Sequence, residues 1–244
     1  MKIHFLGTYH GYAEKKRFTS ATLVEIGDCY YLVDAGAPVE YLMVNRDMSY
    51  EKIRGIFITH MHNDHVGSLS CVIEPMLRYR FNDKAACFFP DERGRDAFCS
   101  WLCALEVNEQ HLKKTVRLET VAEGRIFDDG NVRVSAKKNE HLGQGGASYS
   151  YIFEAEGKRV LFTGDMSYMF TEYSDIAQDG HFDLVVCEGA HFKLCDTKEM
   201  LMKTDTDRMI FNHIYDESMQ GHEEILKEFP FAAELSFDGM TAEL

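Results

Sequence analysis

The 244-residue chain is 45% hydrophobic and carries a formal charge of −14, from 40 acidic against 26 basic residues. That length buries a substantial core, and so acidic a surface repels polyanions, which disfavours long nucleic acid as a partner. No apolar run approaches the roughly 18 residues of a membrane span, MKIHFLGTYHG lacks a signal-peptide pattern, and Cys71, Cys87, Cys99, Cys103 and Cys187 sit in apolar segments that suit a reducing cytoplasm.

In chain order, KIHFLGT is a strand ending in a glycine turn, and ATLVEIG with CYYLVDAG forms a hairpin about Gly27-Asp28. Tyr41, Leu42, Val44 and Met48 recur at roughly helical spacing and predict a helix from Pro38 through Tyr50. IRGIFITH is a buried strand ending at His60. LSCVIEPMLRYRF reads as a helix around Pro75, KAACFFP as a strand, and DERGRDAFCSWLCAL as a helix capped by aspartate. From about Thr115 strands dominate: VRLETV, GRIFDDG and NVRVSAKKNEH, then a hairpin, SYSYIFEAEGKRVLFTGD, turning at Glu156-Gly157-Lys158. HFDLVVCEGAHF is another buried strand, TKEMLMK a short helix, RMIFNH a strand, and EEILKEF a helix leading to AELSFDG. With no linker or short repeat, the pattern predicts one α/β domain over residues 1–244, in two similar halves of roughly 1–114 and 115–244, sheets inside and helices outside.

ITHMHNDHVG, residues 58–67, crowds three imidazoles and a carboxylate at the end of a buried strand, where sites in α/β folds form. Side chains at i and i+2 point the same way, so His60 and His62 can share one cation while Asp64 and His65 face another. One turn cannot fill two coordination spheres and leave water positions open, so further ligands must come from elsewhere. His141, Asp165 and His213 each end a strand and are the candidates.

H-x-H-x-D-H, then a distant histidine, T-G-D, and N-H after a strand resembles the metallo-β-lactamase superfamily over nearly the whole chain. The resemblance implies a four-layer αββα sandwich and two divalent cations, with His60, His62 and His141 on one, Asp64, His65 and His213 on the other, and Asp165 bridging them. Zinc is the expected metal; manganese or iron suits the same nitrogen and oxygen donors. FLGT, Ser20-Ala21 and LVDAG near the start, and FDGM at residues 237–240, are most similar to the ribonuclease Z and small phosphodiesterase branch. DLVVCEGAHF looks like that branch's strand ending in H-E-A-T, with Glu188 on the glutamate and Cys187 in place of the histidine. Two departures stand out. Only 23 residues separate His141 from Asp165, which leaves no room for the tRNA-gripping arm of ribonuclease Z enzymes, and no H-S-T motif lies between Glu188 and His213.

The expected activity is hydrolysis of a small or nucleotide phosphodiester by a water activated between two cations. Asp64 also orients that nucleophile, and His191, three residues past Glu188 and held by it, is the candidate general acid. Lys193 and the run Lys15 to Arg17 are candidates to steer a phosphate, and His10 is a candidate substrate contact. Alternatives on the same ligand set are a ribonuclease Z-like RNA endonuclease, a thioester or lactam hydrolase, and a di-iron redox protein, whose oxygen-activating relatives carry glutamate where this chain has His62. His4, His111, His181 and His222 are expected to be structural, Arg78 with Arg80 a solvated face, and Gly143-Gln144-Gly145-Gly146 a loose turn. A homodimer is the default expectation for assembly.

Overall fold

Runs such as ACFF and LVVCEG are buried along their whole length rather than at alternate residues, so each is packed on both faces and needs a layer on either side. The computed structural model describes residues 1–12, 14–79, 85–108, 116–143 and 145–244; Arg80, His111 and Gln144 lie outside them. Among the described residues the strands make two seven-stranded sheets.

The first sheet takes β1 (Lys2–Gly7), β2 (Ala21–Ile26), β3 (Cys29–Val33), β4 (Ile53–Phe57), β5 (Ala86–Phe89), β6 (Arg117–Thr120) and β14 (Thr241–Glu243), in the order β14-β1-β2-β3-β4-β5-β6. The second takes β7 (Gly124–Asp128), β8 (Arg133–Lys138), β9 (Tyr149–Ala155), β10 (Lys158–Phe162), β11 (Leu184–Gly189), β12 (Arg208–Ile214) and β13 (Ala232–Leu235), in the order β13-β12-β11-β10-β9-β8-β7. Between them lies a core rich in aromatic rings, including Phe5, Tyr31, Phe57, Phe88, Phe127, Tyr151, Phe153 and Phe162. Helices α1 (Val39–Val44), α3 (Leu69–Tyr79) and α4 (Glu92–Ala104) cover the outer face of the first sheet through Leu42, Val72, Met76, Phe98 and Leu102. Helices α5 (Tyr173–Ala177) and α6 (Leu194–Leu201) cover the second, through Tyr173, Ile176, Leu194 and Leu201. The layers therefore run αββα. No helix among the described residues is long and apolar enough to cross a membrane.

Local chemistry explains where the elements depart from expectation. The helix expected to reach Tyr50 stops at Val44, because Asn45, Asp47 and Ser49 favour turns over helix interiors; Asp47 adopts φ +55°, and only a single 3-10 turn, Tyr50–Lys52, follows. Pro75 is tolerated inside α3, whose apolar face is buried at Leu69, Val72, Ile73, Met76 and Leu77. β4 ends at Phe57 rather than His60, since the Thr59 N–H leaves the ladder to donate to Asp34 Oδ1 at 2.8 Å. β6, placed by sequence in the second half, pairs parallel with β5, and β14 returns to β1. The division at residues 114 and 115 therefore does not coincide with the division between sheets. The hairpin at Glu156 and Gly157 is as expected, both residues having positive φ.

Candidate metal centre

Four strand ends meet at one edge of the sandwich. Beyond β4, His60 and His62 precede α2 (Asn63–Val66), which carries Asp64 and His65. This turn lies on the LVDAG segment: Ala35 N donates to the His65 carbonyl at 2.7 Å and Ser68 N to the Ala35 carbonyl at 2.8 Å. A β-carbon on Gly36 would stand 1.7 Å from the Asp64 carbonyl oxygen, so the close approach requires glycine there. His141 follows β8, and Asp165 follows β10 after a glycine turn. His213 is the extra residue of a β-bulge: Glu188 pairs with Asn212 but Gly189 pairs with Ile214, and the φ of +52° at His213 re-aims its ring toward the others.

The ligand atoms of His60, His62, His141 and Asp165 all lie within 4.8 Å of one another, and so do those of Asp64, His65 and His213. Asp165 Oδ2 faces both groups, 3.7 Å from His60 Nε2, 3.8 Å from His141 Nε2, 3.3 Å from His65 Nε2 and 3.2 Å from His213 Nε2. His62 Nδ1 lies 2.9 Å from His60 Nε2 and 3.4 Å from His141 Nε2. Such a convergence of nitrogens suits a cation held among them.

The opposite ring edges are anchored, which fixes the tautomers. A carboxylate or carbonyl only accepts, so His65 donates from Nδ1 to Asp34 Oδ2 at 2.7 Å and His141 from Nδ1 to the Met166 carbonyl at 3.2 Å, leaving each Nε2 lone pair turned to the centre. Ser20 Oγ holds His213 Nδ1 at 2.7 Å. Asp34 is itself held by the Thr59 hydroxyl. His65 Nε2 and Asp165 Oδ1 are buried with no hydrogen-bond partner, which a divalent cation would supply.

The carboxylates and imidazoles of the cluster also shift one another's ionisation. Burial alone would raise the Asp165 carboxyl, but His213, His65 and His60 outweigh it and hold it well below the usual carboxylate range. For His65 burial works downward, yet Asp165 and Asp34 carry it well above the ordinary histidine value. Burial opposes ionisation of Asp64 too, and His65, His213 and the Gly11 N–H bring it below normal. Burial and the neighbouring His65 leave His60 well below its normal value.

Glu188 is buried and spends both oxygens on the chain: Oε1 accepts from Met166 N at 2.6 Å, and Oε2 from Ala190 N at 3.0 Å, His191 N at 2.9 Å and His191 Nδ1 at 2.9 Å. Two of these bonds fix the backbone and ring of His191. The His191 ring centroid lies 4.7 Å from that of His141 and 5.7 Å from that of His213, between the two groups, and Asp165, His191 and His213 form a third group whose ligand atoms lie within 4.8 Å of one another. Burial pushes His191 down, but the Glu188 hydrogen bond and charge, with Asp165, carry it to about 9. His191 Nδ1 also lies 3.7 Å from Asp165 Oδ2.

His10 stands beside the centre, 6.0 Å from the His213 ring and 4.5 Å from that of Tyr215, its Nε2 buried without a partner. Arg17 is already engaged, donating to Asp216 Oδ1 at 2.7 Å and lying 4.9 Å over Tyr9. Lys193 is the N-cap of α6. His4, His181 and His222 bond to Glu25, Asp205 and the Met219 carbonyl, as structural histidines do. Sequence reasoning gave no role to Asp34, although its place in LVDAG at a strand end was a signal. It also missed Glu172, whose buried carboxylate accepts from Ser167 N at 2.6 Å and Glu140 N at 3.3 Å and so ties the loops of Asp165 and His141. A single glutamate after a turn carries no such signal.

A family model described as anti-Pycsar protein Apyc1 matches residues 1–234. The ribonuclease Z of Shouchella clausii is 31% identical over 144 residues, which cover 58% of this chain and 45% of that protein, so the chain spans less than half the length of this curated relative. Among solved structures, the metallo-β-lactamase fold protein YhfI from Bacillus subtilis superposes with a TM-score of 0.74 at 16% identity, covering 99% of each chain. A diphosphatase from the PhnP family gives 0.72 at 15% identity, covering 100% of this chain and 96% of that one. The fold is thus the metallo-β-lactamase fold that the motifs implied.

Proposed function

The chain belongs to the family of anti-Pycsar protein Apyc1, and from that premise we propose that it is a dinuclear metal-dependent phosphodiesterase acting on a small or nucleotide phosphodiester. The observation that carries this reading is one buried carboxylate oxygen, Asp165 Oδ2, facing imidazoles of two ligand groups within 4 Å. Zinc suits the mixed histidine and carboxylate donors. When bound, a pair of divalent cations lowers the pKa of a shared water and polarises phosphoryl oxygens.

The chain's own residues supply the rest. Asp34, Met166 and Ser20 hold three imidazoles so that their Nε2 atoms converge, which removes reorganisation from the reaction. Asp64, held by the Gly11 N–H at 2.7 Å, keeps an oxygen turned to the same cleft, where a nucleophile is oriented. His191, aimed by Glu188, whose hydrogen bond and charge favour its protonated form, donates its Nε2 proton to the leaving oxygen. Replacing it by alanine is expected to slow hydrolysis of a diester with an alkoxide leaving group by roughly 10²- to 10⁴-fold, the range for general acid catalysis. Bis(p-nitrophenyl) phosphate, whose leaving group needs no proton, should lose only a few-fold. Equal losses on both substrates would assign His191 to ligation or packing instead.

A small substrate is supported by the segment between His141 and Asp165, which is taken up by the hairpin of β9 and β10, and by the charge of −14. Likeness in fold to a diphosphatase supports chemistry at phosphorus. The test is metal analysis of the purified protein, then assay against bis(p-nitrophenyl) phosphate, cyclic nucleotides, a thioester, a lactam and a tRNA precursor. Chelator-sensitive turnover of the small phosphodiesters is expected. Clear thioester turnover with neither phosphodiester hydrolysed would overturn the reading, and tight binding and cleavage of the tRNA precursor at physiological salt would overturn the substrate size.

A further inference from the structure

Two short motifs bracket the chain, FLGT at residues 5–8 and FDGM at residues 237–240, and neither supplies a candidate ligand. The fold joins them. Gly239, at φ +98°, makes a turn that a side chain would strain, and the turn is pinned to β1 by Phe5 N donating to the Met240 carbonyl at 2.9 Å and Gly239 N to the Phe5 carbonyl at 2.8 Å. This aims the Asp238 carboxylate at both feet of the loop that leaves β1. Oδ1 accepts from Thr8 N at 2.9 Å and Thr8 Oγ1 at 2.8 Å, and Oδ2 accepts from Phe18 N at 2.7 Å. The feet are also closed on each other, Tyr9 N donating to the Phe18 carbonyl at 2.9 Å.

From this loop Gly11 N donates to Asp64 Oδ2 at 2.7 Å. That oxygen is the one 3.6 Å from His65 Nε2 and 3.8 Å from His213 Nε2. The Thr8 carbonyl meanwhile accepts from Ile214 N at 2.8 Å and sets the foot of the loop against the bulge of His213. Two of the three donors in the Asp64, His65 and His213 group thus depend on the loop's placement. His60 and His141 take their holds elsewhere, from the Thr59 hydroxyl and the Met166 carbonyl.

We propose that Asp238 is a positioning residue for one cation of the pair: by latching both feet of the 8–18 loop it fixes the Gly11 N–H that orients Asp64. The role rests on the metal-centre reading above. It selects one ion, because His60 and His141 of the other group are anchored independently of the latch.

Asp238→Asn keeps an acceptor for Thr8 but turns an amide N–H toward the Phe18 N–H. In a metal buffer where the wild type retains two ions per chain, this variant is expected to retain one, with the second bound about 10-fold more weakly, the lower end of the effect of supporting residues. Turnover should fall by a similar factor and recover on adding metal, while the melting temperature of the metal-free protein stays within a few degrees. Thr8→Val, which removes only the hydroxyl donor, should move the same way by a smaller factor and serves where the first variant does not fold. Wild-type affinity for both ions in both variants overturns the proposal, as does an equal weakening of both ions with a lowered melting temperature. A wild type that binds no ion sinks the metal-centre reading itself, and the latch with it.

Discussion

Asp165→Asn is expected to purify as a folded chain that has lost both cations and hydrolyses bis(p-nitrophenyl) phosphate at least about 10³-fold more slowly, equivalent to roughly 4 kcal/mol of barrier. Asp165 Oδ2 faces four imidazole nitrogens of the two ligand groups between 3.2 and 3.8 Å away, with His191 Nδ1 a fifth at 3.7 Å, and it is the carboxylate oxygen common to both groups. An asparagine fills the same space without the charge. The two groups then become clusters of imidazole facing imidazole, with only Asp64 left to offset two divalent ions. Metal content by mass spectrometry and a circular-dichroism melt separate loss of metal from loss of fold. Wild-type metal content with turnover within ten-fold would remove Asp165 from the bridging role.

Phe57→Ala is expected to cost about 3–5 kcal/mol of stability, the usual range for deleting a buried phenyl ring. Against a total of roughly 5–15 kcal/mol for a domain, that is enough to unfold a marginal one. Phe57 is fully buried at the end of β4, stacked on Phe88 at 5.2 Å and meeting Phe127, Tyr151 and Phe153 of the opposite sheet at 5.6, 5.7 and 5.3 Å. Tyr151 from that cluster donates to the Ile58 carbonyl at 2.6 Å, two residues before His60. The cavity should therefore loosen the ligand turn as well as the core. Urea titration followed by fluorescence measures the first effect and metal affinity the second; a midpoint equal to that of the wild type would show that this cluster does not hold the sheets together.

His60, Asp165 and His213 stood out as candidates because each closes an apolar run, a pattern that local sequence records, whereas His141 follows the polar Lys137-Lys138-Asn139-Glu140. ITHMHNDHVG, VLFTGD and MIFNH all announce a buried strand that ends on chemistry. What the sequence did not reveal is pairing. VRLETV reads as a strand in isolation, but nothing in it says that its partner is β5 rather than the strand that follows it. Thr241–Glu243 is too short to give a period, so β14 went unread. Asp34 and Asp238 act by hydrogen bonds to residues 25 and 230 positions away, and Glu172 joins nearby Ser167 to Glu140, 32 positions away; periodicity carries no record of contacts at such separations. The helix that fails to reach Tyr50 was a local error, in which turn-forming Asn45, Asp47 and Ser49 overruled the spacing of Val44 and Met48.

The return of the chain to β1 also sets an order of events during synthesis. Ribosomes add roughly 5–20 residues per second, so Asp64 emerges about ten seconds or more before Asp238 does. Over that interval β1 presents Lys2, Ile3 and His4 as an unpaired edge, since their partners are Thr241, Ala242 and Glu243. A nascent chain in this state exposes a hydrogen-bonding template beside a metal-ligand turn whose supporting loop is not yet tied down. Mispairing of that edge with a second nascent chain is expected within that window, which closes when β14 docks on β1.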